Sequence, residues 1–296
     1  MAASKVAAPA VYVRLLGGLG NQLFQYAMGR QLADERDTEL VLDSRFILRK
    51  HCVSGLAIDE FNIRARYLNN AESNNYSELS WKLTRALRRK IRPALGYYHE
   101  TSYGFDANLG NQPSACMLSG FWQSYKYFSL TPQLLQDLTL TAGLPAEALT
   151  ITQQMAATNS VAIHVRRGDY LSDPKALVKH GLCSDRYYNE ALQLINAEVQ
   201  EPTYYVFSDD PEWVKAHLGL RDAIFVSDAG FSPEVDLVMI GRCKHQIIAN
   251  SSFSWWGAYI NQNPHKLVMA PSPWFDDADN YPDQDLIPPD WKIIAK

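Results

Sequence analysis

The sequence predicts an α/β protein. Three times a short apolar run ends in a loop of small or polar residues and then opens into a helical pattern, the strand-loop-helix unit of parallel sheets. No internal repeat or low-complexity stretch interrupts this, which removes solenoids and linker-dominated architectures. The 296 residues, 47% hydrophobic and 20% charged with a net charge of −4, suit an ordinary soluble chain with one or two cores. Cys52, Cys116, Cys183 and Cys243 stand far apart, so neither a disulfide framework nor a zinc site has support.

The elements follow in order. Residues 10–16 read as a strand, Gly17-Gly18-Leu19-Gly20 as its loop and about 21–35 as a helix; a further strand is expected at 39–42. Residues 130–159 read as helical with a turn at 141–143, and a division near residue 155 separates domains 1–155 and 156–296. A strand at 161–165 runs into Arg166-Arg167-Gly168-Asp169-Tyr170, followed by a helix near 184–197. The second unit is 204–207, Ser208-Asp209-Asp210, and a helix opened by Pro211, whose missing N–H costs nothing there. After a strand at 224–226 comes the third unit, 245–249, Asn250-Ser251-Ser252 and a helix over 253–260, then a strand at 266–270.

Ligands of open α/β sheets gather beyond the carboxyl ends of the strands, so these loops are the candidate sites. Alternation along the strand makes His164 and Arg166 project together, two basic groups at one strand end, with Arg167 pointing the other way. A guanidinium offers forked donors for phosphate oxygens and stays charged, which suits a departing diphosphate; a solvated Arg–Asp pair is the plain alternative. The glycine turn lets backbone N–H groups approach an anion at a helix start, and a tight turn with Asn21 as helix cap fits equally. Asp43 stands where a ribose-binding acid of a dinucleotide fold would, but the fingerprint lacks its third glycine, which argues against a nicotinamide-dependent oxidoreductase.

Asp210 before Pro211 reads as an N-cap, leaving Asp209 free to accept N1–H and the exocyclic amine of guanine. Asp277-x-Asp279 and Asp283-x-Asp285 lie in a Pro- and Asp-rich stretch that reads as solvated loop, so no metal clamp is expected. Asn250-Ser251-Ser252-Phe253-Ser254-Trp255-Trp256-Gly257 combines hydroxyls and open N–H groups at a helix start, with core packing the expectation for the tryptophans. Residues 81–92 (WKLTRALRRKIR) form a basic amphipathic pattern, a candidate face for peripheral contact with an anionic membrane. The basic residues are local and the chain is acidic, so nucleic acid is not an expected partner. With no apolar run of about 18 residues and no export-signal core, a cytoplasmic location is expected, peripheral to the inner membrane where that basic face engages it.

Taken as a set, Gly17 to Tyr26 (GGLGNQLFQY), His164 to Tyr170 (HVRRGDY), Phe207-Ser208-Asp209-Asp210 and Asn250 to Ala258 (NSSFSWWGA) resemble the α-1,2-fucosyltransferases of glycosyltransferase family 11, in that family's order and, in length, its bacterial members. The resemblance implies a GT-B architecture, two Rossmann-like domains facing a cleft, with the nucleotide on the carboxyl-terminal one. It implies GDP-fucose as donor, the 2-hydroxyl of a terminal galactose as acceptor, and no metal or other cofactor. By position, Arg166 would neutralise the β-phosphate with His164 beside it and Asp169 organising the motif. Arg167, Asp209, Ser251, Ser252, Phe253 and Ser254 would line the donor, Asp209 reading guanine, while Gly18, Gly20 and Asn21 would close on it from the other domain. Another nucleotide-sugar-dependent glycosyltransferase and a non-catalytic nucleotide-sugar-binding protein are the alternatives. No motif position is an unambiguous general base; Asp169 and Asp43 are the candidates.

Overall fold

Short, largely apolar runs become the inner strands of two parallel sheets, each in its own unit. The computed structural model describes residues 9–49, 55–73, 76, 82, 97–113, 116–277, 279, 281, 283 and 285–296. Its contacts divide the chain into residues 1–59 with 63–137, and residues 60–62 with 138–296.

In the first unit β1 (Ala10–Arg14), β2 (Glu39–Asp43), β3 (Arg66–Tyr67), β4 (Tyr97–His99) and β5 (Met117–Ser119) pair in the order β3-β2-β1-β5-β4. All of β1 is buried, which is why its sequence shows no polar alternation. The helix Leu19–Glu35 lies close on β1 and β2: a Cβ on Gly29 would come within 2.7 Å of Val13 Cγ2 and 2.8 Å of Leu40 Cδ1. This helix begins at Leu19, earlier than expected, because Gly17 turns the chain through φ 75° and Gly18 becomes the N-cap. Asn21 is therefore inside the first turn and does not cap it; its Oδ1 accepts a bond from Gln123 Nε2 at 2.6 Å.

In the second unit β6 (Asn159–Val165), β7 (Pro202–Ser208), β8 (Ile224–Phe225), β9 (His245–Ile247), β10 (Val268–Ser272) and β11 (Lys292–Ala295) pair in the order β11-β10-β9-β6-β7-β8. Alternate residues of β6 feed two cores. Val161, Ile163 and Val165 pack with Tyr187, Tyr188 and Ile195 of the helix Asp185–Glu198, and Ala162 packs on the other face with Tyr205, Phe207 and Met239. The sequence places the domain division near residue 155, whereas the contacts place the passage between Asp137 and Leu138. The reason is the helix Ala146–Ala157, which buries Ala148 and Met155 in the second of those cores.

The basic stretch 81–92, apart from Lys82, lies outside the described residues. Among the described residues no helix is long and apolar enough to cross a membrane.

Candidate active site

Parallel pairing in strict register builds the centre of the site. Asn159 of β6 lies beside Pro202 of β7 and Val165 beside Ser208, so the two strands end together and deliver Arg166-Arg167 next to Asp209-Asp210. Arg166 Nη1 pairs with Asp209 Oδ2 at 3.1 Å, and Arg167 Nε pairs with Asp210 Oδ2 at 3.1 Å. The Arg167 backbone N–H also donates to Asp209 Oδ1 at 2.8 Å. Gly168 makes room for this carboxylate, since a Cβ there would stand 3.2 Å from Asp209 Oδ2.

The two arginines are put to different uses. Arg167 lies over the Trp213 ring, 4.2 Å from guanidinium carbon to centroid, while its partner Asp210 caps the helix Pro211–His217 by accepting the Trp213 N–H at 3.2 Å. The expected N-cap role of Asp210 holds; the Arg167 guanidinium serves as a brace between strand exit and helix. Its side chain is 16% exposed, against 35% for Arg166, which leaves Arg166 the more accessible charge. Asp209, read from sequence as a guanine acceptor, here uses both oxygens to hold the Arg166-Arg167-Gly168 turn.

His164 corrects the expectation of two basic groups at the strand end. It is 5% exposed, its ring lies 5.3 Å from that of Phe253, and its Nδ1 is buried without a hydrogen-bond partner. Burial, and then the nearby Arg166 charge, push its pKa down to about 3, so the imidazole is neutral at physiological pH. Among the described residues of this tip, the positive charge comes from arginine.

The loop after β9 is braced by Asn250, whose Nδ2 donates to the His180 carbonyl at 2.7 Å and the Trp274 carbonyl at 3.1 Å. Ser251 is the N-cap of the helix Ser252–Tyr259, its Oγ accepting the Phe253 N–H at 3.4 Å. Ser252 and Phe253 are half-buried at the open start of this helix. Ser254, grouped with them from sequence, is instead fully buried; its hydroxyl lies 3.3 Å from the Ser251 carbonyl, an acceptor a helical serine turns back to, and 3.4 Å from that of Ala249 in the preceding loop. Trp255 and Trp256 pack in the core as expected, Trp255 Nε1 donating to the Leu286 carbonyl at 2.8 Å. Asp169 falls in the helix Gly168–Ser172, and its side chain lies outside the described residues.

In the first unit no side chain caps the helix start at Gly18, so the glycine turn presents backbone N–H groups there. Asp43 is fully buried. Arg14 donates to its Oδ2 through Nε at 3.1 Å and Nη2 at 3.0 Å, and Arg45 to its Oδ1 through Nε at 2.7 Å. Burial alone would raise this carboxyl, but the bonds from Arg45 and the charge of Arg14 outweigh it and hold the pKa below the usual range. That removes Asp43 as a proton acceptor.

Sequence reasoning passed over Asp236, on the helix Pro233–Arg242 packed against Ser252–Tyr259. Its Oδ1 is buried without a partner, and burial followed by the charge of Glu234 pushes its pKa up to about 7. Its sequence signal, an acid in the first helical turn, is that of any dipole-stabilising residue.

Residues 10–295 match glycosyl transferase family 11. The chain belongs to that family. It is 33% identical to an alpha-1,2-colitosyltransferase of Escherichia coli over 97% of this chain and 99% of that protein. It is 30% identical to a galactoside 2-alpha-L-fucosyltransferase of Bos taurus over 48% of this chain and 41% of that one. Among solved structures, NodZ alpha-1,6-fucosyltransferase co-crystallised with GDP is similar with TM-score 0.52 and 14% identity, over 86% of this chain and 93% of that one. The two parallel sheets are those of the GT-B glycosyltransferase fold. In this family 11 glycosyltransferase, Arg166, Asp209 and the start of Ser252–Tyr259 follow the carboxyl ends of three adjacent strands, β6, β7 and β9, where such sheets bind ligands.

Proposed function

We propose that this glycosyltransferase is an inverting α-1,2-fucosyltransferase, moving L-fucose from GDP-β-L-fucose to the 2-hydroxyl of a terminal galactose in an oligosaccharide or lipid-linked glycan. The observation that carries the reading is Arg166 at the tip of the central strand, held by Asp209 beside a neutral, buried His164. A β-linked donor giving an α-linked product requires inversion, hence one in-line displacement through an oxocarbenium-like state. Negative charge then grows on the leaving diphosphate, where Arg166 and the N–H of Ser252 at the helix start offer preoriented donors. Neutral His164 offers one further ring N–H without a second cation. These protein groups supply the counter-charge, so no metal is assigned a role. With Asp43 locked between two guanidiniums, the acceptor proton goes to Asp169 or leaves after the glycosidic bond has broken.

The α-1,2 linkage named for both relatives supports the regiochemistry. The near full-length likeness to the colitosyltransferase supports a second reading, colitose as the sugar, which differs from fucose by lacking the 3-hydroxyl. The test is GDP release from GDP-fucose and GDP-colitose across a panel of galactosides, with product linkage read by NMR. An α-1,2 fucosyl product with higher kcat/KM for GDP-fucose is expected; preference for GDP-colitose moves the assignment to the second reading. Nucleotide-sugar binding without GDP release on any acceptor makes the protein a binding module. Attachment to anionic membranes through residues 81–92 is a separate part of the reading, and equal recovery in the supernatant with and without anionic liposomes removes it.

A further inference from the structure

The carboxyl ends of β4 and β5 carry an aromatic pair that the donor chemistry does not use. The two strands are parallel neighbours, so their exits, residues 100–106 and 120–123, emerge side by side. Glu100 locks the second exit: its Oε2 accepts the Phe121 N–H at 2.7 Å and its Oε1 the Trp122 N–H at 3.0 Å. Gly120 is required for this, because a Cβ there would stand 2.4 Å from Glu100 Cβ. Trp122 adopts φ 56°, a conformation a bulky residue holds only when its surroundings impose it, and its ring is fully buried against Tyr98 and Tyr127.

The consequence is that Phe121 does not follow Trp122 into the core. It stays half-exposed, nearly parallel to the half-exposed Tyr103 ring, at 17° with centroids 6.2 Å apart. The first exit is held in turn by Tyr127, whose hydroxyl donates to the Gly104 carbonyl at 3.0 Å and accepts the Asp106 N–H at 2.8 Å. Beside it Phe105 is 44% exposed. The same edge reaches the glycine turn, since Gln123 donates to Asn21.

The chemistry of these exits selects the ligand. Their charged residues are the acids Glu100 and Asp106, which disfavours a phosphate or nucleotide, while Thr101, Ser102 and Tyr103 supply hydroxyls. Rigid ring faces with hydroxyls at their rim suit a neutral pyranose, whose C–H face packs on aromatic carbon while its own hydroxyls face polar partners. We infer that Tyr103 and Phe121 form a stacking platform for a neutral hexopyranose of the acceptor glycan. This rests on the transferase reading for the identity of that sugar as a galactoside.

The test uses the full chain with lactose as acceptor and Phe121→Leu and Tyr103→Leu, which keep apolar bulk and remove the ring face. Each is expected to raise the KM for lactose about tenfold while the calorimetric Kd for GDP stays within twofold of wild type, and Tyr103→Phe is expected to retain most of the affinity. Lactose KM values within twofold of wild type in both leucine variants, with near-ultraviolet circular dichroism and GDP binding intact, overturn the platform. Where a leucine variant does not fold, saturation-transfer NMR of the unaltered protein with methyl β-galactoside decides: transfer concentrated on one C–H face of the ring supports it, and no transfer overturns it. A wild-type protein that binds the galactoside in this way but releases no GDP defeats the transferase reading alone. One that transfers fucose with a KM indifferent to both rings defeats the platform alone.

Discussion

Asp209→Asn removes a charge from the strand exits while keeping the outline of the side chain. The wild-type carboxylate holds Arg166 Nη1 at 3.1 Å and accepts the Arg167 N–H at 2.8 Å. Both side chains of the ion pair are partly open to solvent, 35% and 25% exposed, so the pair contributes about 1 kcal/mol. The backbone bond is charge-assisted; an amide oxygen in its place forfeits about another 1 kcal/mol. About 2 kcal/mol is thus withdrawn from holding Arg166 at the position where diphosphate charge develops, which corresponds to roughly a thirtyfold fall in kcat. The assay is GDP release at saturating GDP-fucose and lactose, in the wild-type and Arg166→Ala backgrounds. Because Asp209 acts through Arg166, the double variant should be no slower than Arg166→Ala by more than about twofold. Independent, multiplying losses would refute this argument, and so would a loss confined to the KM for GDP-fucose with kcat retained, which would return Asp209 to reading the base.

Arg166→Ala should lower kcat by about 3 kcal/mol, roughly 150-fold, with an unchanged melting temperature; near-normal turnover would remove Arg166 from the mechanism. His164 has a depressed pKa, about 3 in the fold, so below its unfolded value near 6.5 the unfolded chain binds a proton that the native state does not, and stability falls as pH falls. Denaturant titrations should show the stability gap between wild type and His164→Asn shrinking by about 3 kcal/mol from pH 7 to pH 4.5, and a constant gap would contradict a neutral His164. Asp236 has the opposite sign: its pKa is raised to about 7, so its contribution is present in acid and is lost as pH rises from about 4 through 7. Asp236→Asn should therefore gain on wild type by up to about 4 kcal/mol between pH 4 and pH 8, read by the same titrations, whereas parallel curves would mean an ordinary carboxylate.

What was legible in the sequence and what was not follows from how local each signal is. β6, β7 and β9 could be read because each carries or leads into a short apolar stretch that runs on into a polar loop. The cap at Asp210 was legible because Asp-Pro at a helix start is a two-residue signal. By contrast β3, β4, β5 and β11, of two to four residues each, carry no periodicity, and they are strands only because neighbours pair with them. Asn21 looks like a cap until Gly17 is seen to turn the chain two residues sooner. The charge of His164, the brace formed by Arg167 and the raised pKa of Asp236 depend on burial and on the register of β6 against β7, which no run of adjacent residues encodes.

The four charges at the ends of β6 and β7 sum to zero, and that balance bears on how the proposed reaction is driven. Arg167 and Asp210 are bound into the fold by Trp213 and by the helix start, so their pair persists when a ligand arrives. Arg166 and Asp209 form the more open pair, and a diphosphate must compete with Asp209 for the same guanidinium. In the ground state the donor's charge is spread over two phosphates, and Asp209 offsets part of the attraction that Arg166 exerts. As the glycosidic bond breaks, charge concentrates on the leaving β-phosphate and the balance tips toward the ligand. The competing carboxylate therefore limits tight binding of the intact donor more than it limits stabilisation of the transition state, which is the difference a catalyst needs. His164 preserves that difference by staying neutral, since a second cation in the same place would strengthen binding of the donor before any bond had broken.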